Sequence, residues 1–150
     1  LINIRGLNNL LTHFARCCRP IPGDPILGII TRGRGVSVHR RDCLNVSNSE
    51  VEQDRILDLD WDTEQEVSYS IEIKVSGEDR PNFLRDVTHA MSDQGVQVLE
   101  GELKSADGVV GDRFLVEIKS RDQLATLFKK LLEVRGVTDV QRVDEAPDDA

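Results

Sequence analysis

The sequence predicts an α+β chain of two modules: a small β-rich module over residues 1–61 and a ferredoxin-like βαββαβ unit over residues 67–143. The second module alternates between an apolar period of two, typical of half-buried strands, and an apolar spacing of three to four, typical of amphipathic helices. The first module has few large apolar side chains but holds every cysteine of the chain. Modules of that size usually need a metal or another cross-link to fold.

In the first module, one or two short strands are expected within residues 2–15, a buried strand at 26–30, a strand at 36–38 and a last strand at 55–61. Pro22-Gly23 fits the centre of a type II turn, where glycine takes a positive φ. Residues 31–35 fit a hairpin turn, which would place His39 at the end of the returning strand.

In the second module, the expected order is a strand from 67, a loop at 77–82, a helix to Gly95, strands at 96–104 and 110–119, a helix to Gly136 and a strand at 137–143. Asp79 or Asn82 is expected to cap the first helix, and Ser120 with Gln123 the second. The apolar faces of the helices are expected to be Phe83, Leu84, Val87, Ala90 and Met91, and Leu124, Leu127, Phe128 and Leu131. Residues 62–66 are expected to be a linker and 144–150 a disordered acidic tail.

Four side chains near the start of the chain are candidate metal ligands: Cys17, Cys18, His39 and Cys43. Cysteine and histidine are the usual zinc ligands, and four of them complete a tetrahedral site. His39 and Cys43 are four residues apart, so one helical turn would direct both at one point. Adjacent cysteines need a bend to do the same. The spacing alone leaves open the alternative of three buried, reduced thiols.

The charge of −8 is unevenly distributed, since residues 1–43 carry a net +5 and the remainder a net −13. The basic part is the better candidate for contact with nucleic acid. The arginines of the 31–35 turn are either solvated or positioned to contact phosphate. An odd number of cysteines favours a reducing cytoplasm, and no membrane span, signal peptide or nucleotide-binding glycine motif is present in these 150 residues. The sequence begins at Leu1 and not at a methionine, so we expect it to be part of a longer protein.

The run CCRPIPGDPILGIITRGRGVSVHRRDC is similar to the C-terminal regulatory region of the long RelA/SpoT family, enzymes that make and degrade the alarmone (p)ppGpp in the bacterial stringent response. The run GEDRPNFLRDVTHAMSDQGVQV resembles an ACT domain, which follows the cysteine module in that family. The resemblance implies a non-catalytic regulatory fragment whose catalytic domains lie N-terminal to it. It also implies a structural Zn²⁺ on Cys17, Cys18, His39 and Cys43. His13, one helical turn before Cys17, is a spare candidate that the family pattern does not require.

The resemblance further implies partners: the ribosome and tRNA, the enzyme's own catalytic domains, and a second copy through the ACT domain. RNA contact would then fall on Arg19, Arg32, Arg34, Arg40 and Arg41. An amino-acid ligand of the branched-chain type would fall on Gly77, Asp79, Arg80 and Asn82. Because Asn82 stands where ACT domains usually have glycine, we expect weak or no binding.

Two alternatives remain open from the sequence. One is an enzyme using Cys17 or Cys18 as a nucleophile, with Arg16 and Arg19 lowering the thiol pKa. The other is an amino-acid-sensing ACT tail of a biosynthetic enzyme, which the cysteine stretch argues against. His89 is expected to be a surface residue, and Trp61 to pack at the end of its strand.

Overall fold

The computed structural model describes residues 4–5, 11–33, 35–47, 51, 53–61 and 67–144. It divides into two compact units, Leu1–Val67 with Asp144–Ala150 and Ser68–Val143. Each unit contains its own β-sheet, and the α+β class is confirmed. The predicted linker at 62–66 and residues 145–150 of the predicted tail lie outside the described residues.

The first unit is a five-stranded sheet with strand order β1-β5-β3-β4-β2. Its elements are β1 Ile4–Arg5, β2 Thr12–Phe14, β3 Ile26–Thr31, β4 Gly35–Arg40, the short helix α1 Leu44–Ser47, a 3₁₀ turn Gln53–Arg55 and β5 Ile56–Trp61. β3 and β4 form the predicted antiparallel hairpin, and β2 pairs with β4 in parallel. β4 therefore has a partner on each side, which fixes its backbone.

A tight turn leads into β3. The Asp24 N–H donates to the Ile21 carbonyl over 3.0 Å, and Gly23 has a φ of 99°, as the type II prediction requires. Trp61 closes the turn, because its ring N–H donates to the Asp24 carbonyl over 2.9 Å. The Trp61 ring also stacks on Phe14 at 5.5 Å between centroids, which confirms its packing role.

Two buried clusters are seen among the described residues of this unit. Ile26, Val38 and Leu59 are buried together, with Phe14, Leu57 and Trp61 packed against them. A second buried cluster consists of Ala15, Cys18 and Cys43, with Cys17 and Val46 against it. Cysteine side chains thus form much of the interior in this part of the unit, where larger apolar groups would otherwise be needed.

The second unit has the predicted βαββαβ order. Its elements are β6 Tyr69–Glu78, α2 Phe83–Asp93, β7 Val98–Glu102, the two-residue β8 Ser105–Ala106, β9 Val109–Ile118, α3 Arg121–Leu132 and β10 Val137–Arg142. The sheet order is β10-β6-β9-β7 with antiparallel pairing throughout, and β8 extends the hairpin alongside β9. Asp107 and Gly108 both have positive φ, the form of a tight hairpin turn.

The two helices bury one face each. Phe83, Val87 and Met91 of α2 are buried, as are Leu124, Leu127 and Leu131 of α3. The prediction that Leu84 belongs to the buried face is wrong, since it is 38% exposed. Leu84 follows Phe83 by only one residue, so the helix turns it about 100° away from the core stripe.

The two helix starts differ. At α3 the Ser120 hydroxyl accepts from the Gln123 N–H over 3.1 Å, and the Gln123 side chain accepts from the Lys119 N–H, which confirms a capping interaction. At α2 the predicted side-chain cap is absent: Asn82 occupies the N-cap position, but its side chain makes no cap hydrogen bond. Asn82 has a φ of 66°, whereas a capping side chain needs extended backbone to reach the helix N–H groups. In the described part of the chain, no helix has the length and apolar character needed to cross a membrane.

Candidate metal centre

The four predicted ligand residues come together in the first unit. The ligand atoms of Cys17, Cys18, His39 and Cys43 all lie within 4.8 Å of one another. Cys18 and Cys43 are buried, and Cys17 and His39 are half-buried. None of the three cysteines forms a disulfide. His13, the spare candidate, is exposed on β2 and lies outside this cluster.

A tight turn directly after β2 brings Cys17 and Cys18 to the same point. The Arg19 N–H donates to the Ala15 carbonyl over 3.0 Å, and Arg19 has a φ of 43°, in the left-handed region. The chain reverses there, so two adjacent side chains that would diverge on a strand can approach one centre. The predicted bend is confirmed.

His39 and Cys43 are also brought together, although not by the single helical turn that their spacing would allow, and His39 lies on the returning strand of the hairpin as predicted. His39 lies in β4, opposite Leu27 of β3. The chain then turns, with the Cys43 N–H donating to the Arg40 carbonyl over 3.1 Å, and α1 begins at Leu44. Strand pairing keeps the backbone of His39 extended, and the turn that follows the strand brings Cys43 back toward the His39 side chain.

The distances fit a tetrahedral metal. Cys17 Sγ lies 3.7 Å from Cys43 Sγ and 3.5 Å from His39 Nδ1, and Cys18 Sγ lies 3.8 Å from the same nitrogen. Around a tetrahedral zinc with bonds of about 2.3 Å to sulfur and about 2.0 Å to nitrogen, the ligands stand about 3.8 Å apart for two sulfurs and about 3.5 Å for sulfur and nitrogen. The cluster can therefore hold one ion with little movement.

Burial favours the neutral thiol form of Cys17 and Cys18 when no metal is bound. Burial raises the pKa of both Cys17 and Cys18, and burial, followed by the charge of His13, lowers the pKa of His39. The expected lowering of a thiol pKa by Arg16 and Arg19 is therefore not found, which removes the main support for a nucleophilic cysteine. Metal binding releases the protons of cysteine ligands, and the cation then stabilises the resulting thiolates.

Groups around the ligands complete the site. The Arg40 N–H lies 3.4 Å from Cys18 Sγ and donates to it. The Ser37 hydroxyl oxygen, in a buried residue of β4, lies 3.1 Å from His39 Nε2. Sequence analysis did not single out Ser37, although its position two residues before a histidine on a strand places both side chains on one face.

The arginines predicted to contact RNA are in different environments. Arg32 is exposed in the β3–β4 turn, and Arg41, paired with Asp58, keeps 46% of its side chain exposed. Arg19 is half-buried. The side chain of Arg40 is 9% exposed and forms ion pairs with Asp42 and Asp144, so it does not fit an RNA surface. Arg34 lies outside the described residues.

In the second unit, the residues predicted to bind an amino acid surround the start of α2. A cleft of about 280 Å³ is lined there by Asp79, Asn82 and Leu84 on one side and by Lys104 and Asp112 on the other. Asp112 was not singled out from the sequence, but its place among the inward positions of β9 was readable from the alternation. It is 4% exposed, accepts from the Lys104 N–H over 3.1 Å, and has its pKa raised by burial.

Arg80 and Gly77 have structural roles in this loop. The Arg80 guanidinium donates to the carbonyls of Arg135 and Pro81 and pairs with Asp86, so its donors are directed at the protein. Gly77 is buried, and a Cβ on it would overlap the carbonyl of Gly136. As predicted, His89 is on the surface, where it lies 3.4 Å from Asp93.

Comparison with known proteins assigns both units. A model of the RelA/SpoT RIS domain matches residues 2–62, and an ACT domain model matches residues 65–142. The chain is 42% identical over 144 residues to a GTP pyrophosphokinase of Streptomyces coelicolor, covering 95% of this chain and 17% of the relative. It is 38% identical over 146 residues to the bifunctional (p)ppGpp synthase/hydrolase RelA of Mycobacterium tuberculosis, covering 97% of this chain and 20% of the relative.

The chain thus spans about one fifth of the length of these relatives or less. Among solved structures, the ACT domain from a GTP pyrophosphokinase of Chlorobium tepidum is matched over its whole length. That match covers 51% of this chain at 27% identity, with a TM-score of 0.47.

Proposed function

Since the chain belongs to the RelA/SpoT family, as a RIS domain followed by an ACT domain from the C-terminal regulatory region, we propose that it is the non-catalytic regulatory part of a (p)ppGpp synthetase/hydrolase. The observation that supports this most directly is the order of the two domains, which together account for residues 2–62 and 65–142. In this role the region reports starvation, acting in the cytoplasm on catalytic domains N-terminal to it. The alternative of a biosynthetic enzyme's ACT tail does not account for the RIS domain.

The regulatory role is tested with the full-length protein and a variant that lacks this 150-residue region. Synthesis of (p)ppGpp from ATP and GTP, and its hydrolysis, are measured with and without ribosomes carrying uncharged tRNA. We expect deletion to abolish the response to ribosomes while synthesis or hydrolysis persists. An unchanged ribosome response in the deleted protein would contradict the proposal.

We propose that the ion held by Cys17, Cys18, His39 and Cys43 is a structural zinc. Three sulfurs and one imidazole nitrogen at these distances form a complete ligand set, which leaves no open position of the kind a catalytic zinc uses. The metal supplies a cross-link between the turn after β2 and the end of β4. It takes the place of apolar contacts that this small core lacks.

Alkylation distinguishes this site from a thiol enzyme. With zinc bound, all three cysteines are expected to react with iodoacetamide far more slowly than after treatment with a chelator. A nucleophilic Cys17 or Cys18 would instead be modified rapidly in the metal-loaded protein. Mass spectrometry of tryptic peptides identifies the modified residue.

RNA contact is proposed for the exposed arginines of the first unit, in particular Arg32 and Arg41. Arg32 is exposed, and Arg41 keeps 46% of its side chain exposed while it pairs with the exposed carboxylate of Asp58. The side chain of Arg40 is instead buried and pairs with Asp42 and Asp144. Arg19 and Arg34 remain part of the proposal. Because the second unit is strongly acidic, RNA would meet the first unit preferentially.

The RNA surface is tested by replacing Arg32 and Arg41 together with glutamine. The matched control replaces Arg85 and Arg113, two exposed arginines of the second unit. Binding to tRNA and to ribosomal RNA is measured over a range of salt. We expect the first pair to weaken binding and to lower the salt slope by about two, and the control pair to change neither. Equal losses from both pairs would rule out this surface.

For the ACT domain we propose a homodimer with weak or no binding of branched-chain amino acids at the loop from Gly77 to Asn82. The cleft beside the loop is open, and the guanidinium of Arg80, one of the cations that line it, already donates to three protein acceptors. Calorimetry with valine, leucine and isoleucine tests binding, and sedimentation tests the dimer. Micromolar affinity for one of these amino acids, or a monomer at high concentration, would refute the corresponding half of this proposal.

A further inference from the structure

The two ring nitrogens of His39 face different groups. Nδ1 lies 3.5 Å from Cys17 Sγ and 3.8 Å from Cys18 Sγ, on the side of the ligand cluster. Nε2 lies 3.1 Å from the Ser37 hydroxyl oxygen, on the opposite side of the ring. If a metal occupies the cluster, the ring therefore meets it through Nδ1.

The protein holds this arrangement on a rigid element. Ser37 and His39 lie on the same face of β4, two residues apart. β4 is paired on both sides, with Ser37 opposite Ile29 of β3 and opposite His13 of β2. Ser37 is 8% exposed, so water has little access to compete for its hydrogen bond with the ring.

The direction of this hydrogen bond is tied to which ring nitrogen can bind a metal. A neutral imidazole carries one proton, and only the nitrogen without it offers a lone pair. When Nε2–H donates to the Ser37 oxygen, Nδ1 is free to coordinate. When the Ser37 hydroxyl donates to Nε2 instead, the proton lies on Nδ1 and no coordination can occur there.

We infer that Ser37 is a positioning residue for the metal centre, which holds His39 in the Nε2-protonated form and orients Nδ1 toward the ion. This inference rests on the proposed zinc site. Groups that accept the second N–H of a ligating histidine fix its tautomer and ring orientation, and losing one typically lowers metal affinity about 10- to 100-fold. The hydrogen bond from the Arg40 backbone N–H to Cys18 Sγ orients a sulfur ligand in the same way.

The test combines spectroscopy with affinity. The full chain, labelled with ¹⁵N at histidine and loaded with zinc, is examined by long-range ¹H–¹⁵N correlation, with the His39 signals assigned from a His39→Asn sample. We expect Nδ1 of His39 to show the ¹⁵N chemical shift of a metal-bound nitrogen and Nε2 to show that of a protonated nitrogen. Zinc affinity, measured by competition with a chromogenic chelator, should fall about 10- to 100-fold in Ser37→Ala.

Two variants serve as controls. Ser37→Thr keeps the hydroxyl and should stay within a few-fold of the parent, and Ser47→Ala removes an exposed hydroxyl of the same unit and should change nothing. Zinc bound through Nε2, or a Ser37→Ala affinity equal to that of the parent, would overturn the inference while leaving the zinc site intact. A parent chain that binds no zinc would instead refute the proposed metal site, and this inference with it. The spectrum of the parent decides the tautomer even if Ser37→Ala fails to fold.

Discussion

Replacing Gly77 by alanine should severely destabilise the second unit. A Cβ at Gly77 would overlap the Gly136 carbonyl oxygen and stand 2.7 Å from Cε1 of Phe83. Neither neighbour can retreat easily. The Gly136 carbonyl accepts from the Glu78 N–H over 2.9 Å, and the Phe83 ring is buried at the start of α2.

The expected cost is about 3 kcal/mol, because overpacking costs about 1–3 kcal/mol and losing the hydrogen bond adds about 1 kcal/mol. For a unit of this size that lowers the melting temperature by about 12–24 °C. Gly101→Ala is the matched control. Its added Cβ would lie 3.4 Å from Phe114 Cδ1, 3.6 Å from Phe114 Cε1 and 3.9 Å from the Arg113 carbonyl oxygen, which are ordinary van der Waals distances. Stability should therefore change by less than about 1 kcal/mol.

Amide hydrogen exchange in β6 and β9 measures the effect in this unit alone. The reasoning predicts a large loss of protection for Gly77→Ala, full protection for Gly101→Ala and no change in β3 and β4. If Gly77→Ala keeps its β6 and β9 protection within about 1 kcal/mol of the parent, the close packing of Gly77 against Gly136 is refuted.

Three further predictions concern the same unit. Asn82→Ala should cost about 1 kcal/mol by urea unfolding, because alanine tolerates the left-handed backbone poorly, whereas Asn82→Gly should be nearly neutral. Asn82→Gly should also create or strengthen amino-acid binding by calorimetry if the side chain is what blocks the cleft. Asp112→Asn keeps the acceptor for Lys104 N–H and removes the charge. Burial raises the pKa of Asp112, so the folded state favours the protonated carboxyl. The contribution of Asp112 to stability is therefore fully present below the pKa of the unfolded chain, and it is lost as the pH rises through the pKa of the folded protein. The asparagine variant should therefore be the more stable at pH 7, and the difference should vanish below about pH 4; an advantage that persists in acid would contradict this.

The strands were predictable where one face is buried. In β6 and β9 the inward residues alternate strictly, and a one-residue slip would expose the entire apolar set, so the pattern defines the strand. The same reasoning applies to the β3–β4 hairpin, where the glycines of the turn indicate where β3 ends and β4 begins. In these places local sequence and tertiary burial favour the same structure.

The metal cluster was predictable as a set but not in its local geometry. The spacing of four from His39 to Cys43 fits a helical turn as well as a strand followed by a turn. The choice depends on Leu27, which pairs with His39 from a distant position and is not visible in the spacing. Burial of Arg40 likewise depends on Asp144, which is 104 residues away.

The backbone at Asn82 was unpredictable for a related reason. The residue before a helix normally has an extended backbone, and its side chain caps the first N–H groups of the helix. The residue type at Asn82 favoured that role. The loop is instead held by Arg80, whose guanidinium donates to the Arg135 carbonyl in the turn that follows α3. The left-handed conformation at Asn82 is one that glycine adopts without the steric cost of a Cβ, so glycine would fit this position well.

The zinc content of the purified chain tests the central claim most directly. Element analysis of protein prepared without chelator should find close to one zinc per chain. Cys43→Ser should lose the metal and the amide protection of β3 and β4, while β6 and β9 remain protected as a separate core. A metal-free parent chain whose β3 and β4 amides are fully protected would contradict the claim, because the first unit would then fold without the cross-link assigned to Cys17, Cys18, His39 and Cys43.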